Sequence, residues 1–221
     1  MKRLLVIALA LSVLASCKND EPTPYIDFGF DYAPLSVGSW VEYDVDSIVF
    51  NEFDARTDSF HFIMRVECTE VYEDQTGRSV YRFEQTKRSN DTASSTFRKA
   101  FSLVKEGVRI ERNEDNKISV PLTFPISIDA SWDGNAFNVQ DEQTFEIVAV
   151  ESTAQINGVN LDSTATVLQI NDTNNFVFKQ FAQERYSRDI GLVYREQLIK
   201  ETQFNIDSGL HWIQQIRASG P

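Results

Sequence analysis

The chain has 221 residues, 33 of them acidic and 21 basic, for a formal charge of −12, and 42% of its residues are hydrophobic. Such a charge repels phosphate backbones and anionic headgroups, which excludes a general nucleic-acid binder. The apolar content excludes a disordered chain, and the length suits one large domain or two small ones.

At the start, Lys2 and Arg3 precede residues 4–14, which are apolar except for Ser12. That run is too short to cross a hydrocarbon core, which needs roughly 20 residues, but suits the apolar region of a signal peptide. Leu14-Ala15-Ser16-Cys17 follows and resembles the bacterial lipobox. The resemblance implies cleavage before Cys17, a diacylglyceryl group on its sulfur and acylation of the new amine. Residues 1–16 are then a lipoprotein signal peptide and 17–34 a lipidated tether. Cleavage removes Lys2 and Arg3 but no acid, so the charge becomes −14. Two or three acyl chains would hold the protein on a membrane. Lys18-Asn19-Asp20-Glu21 is similar to the lysine-plus-acidic export signals of Bacteroidota surface lipoproteins, with Asn19 interrupting the tightest pattern. That similarity implies an outer-membrane anchor, with the surface-exposed side favoured over the periplasmic one.

The tether holds Pro22 and Pro24 and is aromatic, with Tyr25, Phe28, Phe30 and Tyr32. A solvated linker needs no such residues. Part of 25–35 is expected to dock on the domain as an edge strand, or else to bind a partner.

From residue 35 to 221 the composition favours strands. After residue 16 there are 17 Val and 15 Ile against 8 Leu. β-branched and aromatic residues fit a pleated, half-buried surface. Val41, Tyr43 and Val45 alternate with Glu42, Asp44 and Asp46; Phe60, Phe62, Met64, Val66 and Cys68 form another apolar row. This period of two predicts antiparallel strands with one covered face. Turn signals such as Asp74-Gln75-Thr76-Gly77, Asp133-Gly134-Asn135 and Ile156-Asn157-Gly158 punctuate the runs. The predicted strands are 39–50, 58–73, 78–88, 94–105, 107–113, 117–120, 143–153, 163–171, 175–187, 190–203 and 209–218. The fold class is all-β, an antiparallel meander of about ten strands forming a curled sheet, half-barrel or barrel. Residues 120–138, with Pro121 and Pro125, read as one irregular connection, either dividing two subdomains or closing one end of a barrel. A single β domain over 35–221 is the favoured reading.

Two segments bear on family. Asp31-Tyr32-Ala33-Pro34-Leu35-Ser36-Val37-Gly38-Ser39-Trp40-Val41-Glu42-Tyr43 is similar to the opening of uncharacterised cell-envelope lipoproteins of Bacteroidota. Gly191-Leu192-Val193-Tyr194-Arg195-Glu196 resembles a second signature of that group. The resemblance implies no known activity.

The residues for catalysis are sparse. The Gly-x-Ser-x-Gly, His-Glu-x-x-His and Cys-x-x-Cys patterns and phosphate-binding Gly-rich loops are absent. His61 and His211 read as strand decoration and Cys68 as a small core residue, a poor supply for zinc. With Cys17 lipidated, Cys68 has no disulfide partner. Asp129, Asp133 and Asn135 offer oxygens for calcium but lack the loop spacing, and Asp133-Gly134-Asn135 is first a turn. No metal or cofactor is expected. Trp40, Trp132 and Trp212 are candidates for stacking on sugars or, as is commoner, for packing. Asp91-Thr92-Ala93 resembles the O-glycosylation acceptor of Bacteroidota, with Asp46-Ser47-Ile48 and Asp162-Ser163-Thr164 as weaker matches. It makes Thr92 the modification candidate.

The expected function is therefore a non-catalytic, lipid-anchored binding, carrier or interaction module. It contacts the membrane through its lipid and takes a hydrophobic ligand or an envelope protein as partner. The alternative is a glycan- or peptidoglycan-acting hydrolase using a carboxylate pair. A groove lined by inward Phe, Ile and Val marks the first; two buried, convergent carboxylates mark the second.

Overall fold

The alternation read from the sequence becomes fourteen strands within residues 27–221, the part of the chain described by the structure, a computed structural model. The signal segment, Cys17 and the start of the tether lie outside the described residues. The first strands are β1 (Trp40–Asn51), β2 (Arg56–Glu73), β3 (Ser79–Arg88), β4 (Thr96–Glu106), β5 (Arg109–Glu114) and β6 (Lys117–Thr123). Then come β7 (Ser131–Asp133), β8 (Thr144–Glu151), β9 (Ala154–Ile156) and β10 (Val159–Leu161). The last are β11 (Thr164–Asp172), β12 (Phe178–Ser187), β13 (Gly191–Gln203) and β14 (Ile206–Gly220). The predicted strands all form, with ends shifted by a few residues. Three short strands, β7, β9 and β10, escaped the reading because three residues are too few to display a period.

Twelve strands join one antiparallel sheet in the order β6-β5-β4-β3-β2-β1-β14-β13-β12-β11-β8-β7, and β9 and β10 form a separate hairpin. Local hairpins build each half, and β1 and β14 join the halves from Trp40↔Gly220 to Phe50↔Gly209. A flat sheet of this width would leave an apolar face in water. Instead the strands curl, helped by register shifts such as those at Glu42/Tyr43, Gln85/Thr86 and Arg185/Tyr186, each adding local twist and bend.

The curl brings the edge strands β6 and β7 together. The Val120 amide donates to the Gly134 carbonyl at 2.9 Å, and the Trp132 indole donates to the Val120 carbonyl at 2.7 Å. Asn138 reaches the Ile118 carbonyl at 2.8 Å. The sheet is thus nearly closed into a barrel, and the connection over 120–138 runs along its seam. Beneath the seam lie Leu122, Ile147, Ala165 and Val167, each fully buried. The β9–β10 hairpin sets Ile156 and Leu161 against Val193 and Ile216.

The described part of the tether docks as a 3₁₀ turn, Phe30–Tyr32, and not as the edge strand expected. Tyr32 is buried and its hydroxyl lies 2.6 Å from the Ser163 hydroxyl. Arg188 bonds both Asp31 carboxylate oxygens and, at 2.6 Å, Asp27. Gly29 enters the turn at φ +72°, and a Cβ there would sit 2.8 Å from Ile126, so glycine is required twice over.

Candidate functional site: a cavity in the barrel

The curl leaves a cavity of about 490 Å³ inside the barrel. Its wall comes from alternate residues on successive strands: Val41 and Tyr43 on β1, Phe83 and Gln85 on β3, Phe101 and Leu103 on β4, Ile110 and Arg112 on β5. A period of two sends both members of each pair to one side. Trp40, Val66 and Leu122 extend the apolar part. The exposed residues Ser36, Asp189, Ser219 and Pro221 border the cavity where β1 and β13 begin and β14 finishes, so it opens there.

Away from the mouth the wall turns polar. Gln214 pairs with Val45, five positions along β1 from Trp40, or about 16 Å in at roughly 3.3 Å per residue. It is 2% exposed, and its Oε1 finds no hydrogen-bond partner among the described residues. Arg195, its register partner on β13, donates Nε to Glu184 Oε1 at 2.7 Å. The Tyr186 hydroxyl donates to the other oxygen of Glu184. Arg112 donates Nε to Glu114 at 2.8 Å and lies 4.1 Å over the Phe101 ring, which stacks on Phe83. Tyr43 donates to the Leu192 carbonyl at 2.7 Å.

Burial dictates how these groups titrate. Burial alone would raise Glu184, but the Arg195 and Arg112 guanidiniums and the Tyr186 hydroxyl outweigh it and hold the carboxyl below its ordinary value. Burial and the neighbouring Glu184 push the Tyr186 phenol well up. Burial, reinforced by Arg195, brings Arg112 down to about 10.

The buried carboxylates Glu42, Glu111 and Glu184 lie on β1, β5 and β12, and none of them lines the cavity. Each is held by arginine: Glu42 by Arg88 at 2.7 and 2.9 Å, Glu111 by Arg78 and Arg109, Glu184 by Arg195. They do not converge as a catalytic pair.

The other candidates scatter. Trp132 packs edge-on against Phe145 at the seam, and Trp212 edge-on against Phe62. Trp40 lines the cavity with Arg65 over its ring at 4.1 Å. His61 is exposed, 2.9 Å from Asp46, and His211 is 2.9 Å from Glu196. Cys68 is a buried free thiol, pushed up by that burial. Asp133 caps its own turn, accepting from the Asn135 and Gln143 amides at 2.9 and 3.0 Å, while Asn135 donates to the Asp141 carbonyl and Asp129 lies in a positive-φ turn. Thr92 is exposed at the β3–β4 hairpin tip, its hydroxyl bonded to Asn90. Ser47 lies within β1, and the Ser163 hydroxyl is occupied by Tyr32.

Sequence reasoning missed Arg112, Arg195, Gln85 and Gln214. For three of them a signal existed. Arg112 shares strand parity with Ile110, Gln85 with Phe83 and Gln214 with Trp212, so each is a polar residue in an apolar row. Arg195 was hidden, because a register shift between Arg185 and Tyr186 in the β12–β13 pairing skips Val193 and breaks its parity with Leu192.

No protein-family model matches the chain, and no curated protein does. Two solved structures are similar to it. One, from Bacteroides fragilis and described as an exported protein with a YMCC-like fold, is 13% identical with a TM-score of 0.48. The other, from Parabacteroides distasonis and described as a lipoprotein, is 11% identical with a TM-score of 0.41. Each similarity covers 89% of this chain and the whole of the other.

Proposed function

We propose that this protein is a lipid-anchored carrier of the Bacteroidota cell envelope, holding a hydrophobic small molecule in its barrel without reacting with it. The cavity carries this reading. Its volume lies within the roughly 300–1,000 Å³ of small-molecule sites, and its wall is mostly aliphatic and aromatic, with polar groups at the mouth and at the inner end. The hydrolase alternative gains no support from the arginine-bound carboxylates, since a general acid needs a raised pKa and Glu184 has a lowered one.

The test is binding of a neutral apolar fluorophore, N-phenyl-1-naphthylamine, to the full chain carrying Cys17→Ala. One saturable site is expected. Leu103→Trp, which fills the cavity, is expected to weaken it at least tenfold. Binding that is absent, or that ignores the filled cavity, sinks the carrier reading.

Lipidation at Cys17 and glycosylation at Thr92 complete the proposal, with the surface-exposed face of the outer membrane as the favoured location. Mass spectrometry of protein from its native membranes should find a chain beginning at acylated Cys17. The tryptic peptide of residues 89–98 should carry a glycan mass. A bare peptide there removes Thr92 from the proposal, and an unacylated Cys17 removes the anchor.

A further inference from the structure

The polar end of the cavity is richer in positive charge than structural pairing requires. Arg112 and Arg195 each direct Nε and Nη2 to a single glutamate oxygen, leaving the Nη1 sides for the cavity that both residues line. On β4, Lys99 shares Glu114 with Arg112. Arg98 donates to the cavity-lining Gln85 at 2.8 Å and lies 5.1 Å over Trp212. Three buried or half-buried cations, Arg112, Arg195 and Lys99, thus face two carboxylates, Glu184 and Glu114, inside a protein whose formal charge is −12, while Arg98 lies exposed beside them. Each cavity-lining arginine has one glutamate, and the surplus positive charge at this end favours a further anion in the cavity.

We infer that the cavity binds a single-chain amphiphile with an oxyanion head. The head sits between Arg112 and Arg195, and the chain runs along Phe83, Phe101 and Leu103 toward the mouth near Trp40. This rests on the carrier reading above and names its ligand class. Guanidinium edges match carboxylate and phosphate oxygens in shape and charge. The unpartnered Oε1 of Gln214 needs a hydrogen-bond donor, which a hydroxyl of the head or a water ordered by it supplies. Apolar wall and cationic end belong to the same cavity, so a free anion would leave the first unused and a hydrocarbon would leave the second unpaired.

The test is competition against the bound naphthylamine on the full chain with Cys17→Ala, so that no acyl group of its own competes. Hexadecanoic acid, its methyl ester and acetate are the competitors. The acid is expected to displace the probe at least tenfold more tightly than the ester, and acetate not to displace it at millimolar concentration. Arg112→Leu should bring acid and ester within about threefold by weakening the acid alone. Equal binding of acid and ester by the parent chain overturns the oxyanion head while leaving the carrier intact. Displacement by acetate as effective as by the acid overturns the amphiphile. If the naphthylamine itself fails to bind, the carrier reading falls as well. The acid-to-ester comparison on the parent chain decides the matter even if the arginine variant does not fold.

Discussion

Glu184→Leu is expected to lower stability by about 3–5 kcal/mol, because it leaves the Arg195 guanidinium buried without its counter-charge. For a domain of this size that is a fall of roughly 6–20 °C in Tm, read from a circular-dichroism melt. Glu184 is 4% exposed, so water cannot make good the loss. Removing both charges is a different matter. Glu184→Leu with Arg195→Met should recover most of the deficit, since a well-packed apolar pair often equals a buried ion pair. A double variant no better than the single would show that Arg195 is not what Glu184 serves. The same pair sets a pH dependence. The folded carboxyl titrates below its ordinary value of 4.5, so in the interval between them the unfolded chain binds more protons. Its stabilisation is complete above the ordinary value and is lost as pH falls through the depressed one. Urea midpoints of the parent and of Glu184→Gln should therefore differ most near neutrality and draw together progressively as pH falls below 4.5.

Trp132→Ala is expected to cost about 3 kcal/mol, the lower end for a large aromatic because the residue is only partly buried. It deletes the edge-on contact with Phe145 and the indole bond to the Val120 carbonyl at the seam. The effect should be local. Amide exchange should quicken in β6 and β7 while β1 and β14 stay protected. A uniform rise across the sheet would mean that the seam is not an independent weak point. Trp132→Phe, which keeps the packing but not the bond, should lose about 1 kcal/mol.

Much of this fold was legible because a half-buried strand writes its faces into alternate residues, as at Val41, Tyr43 and Val45. What alternation cannot reveal is which strands meet across the curl. The contact of Val120 with Gly134 depends on the sum of twists over twelve strands, and β7 is too short to announce itself. The candidate site was half legible. Its apolar lining followed from the inward Phe, Ile and Val rows. Its charge was obscured because Arg112 and Arg195 resemble the outward-facing arginines of any acidic, solvated surface, and a register shift moved Arg195 off the apolar parity.

The pairing of β1 with β14 gives the molecule a particular order of assembly. Hairpins on either side can zip locally, but the strand beginning at Trp40 gains its second neighbour only when the strand ending at Gly220 arrives. Until then β1 and β14 each present a bare ladder of amides and carbonyls to any passing strand. Contacts so distant in sequence close slowly, and the wait is when a foreign strand could take the vacant place. Because the meeting of first and last strands also forms the wall between Tyr43 and Gln214, the ligand chamber is finished in the same step that commits the chain to its native state.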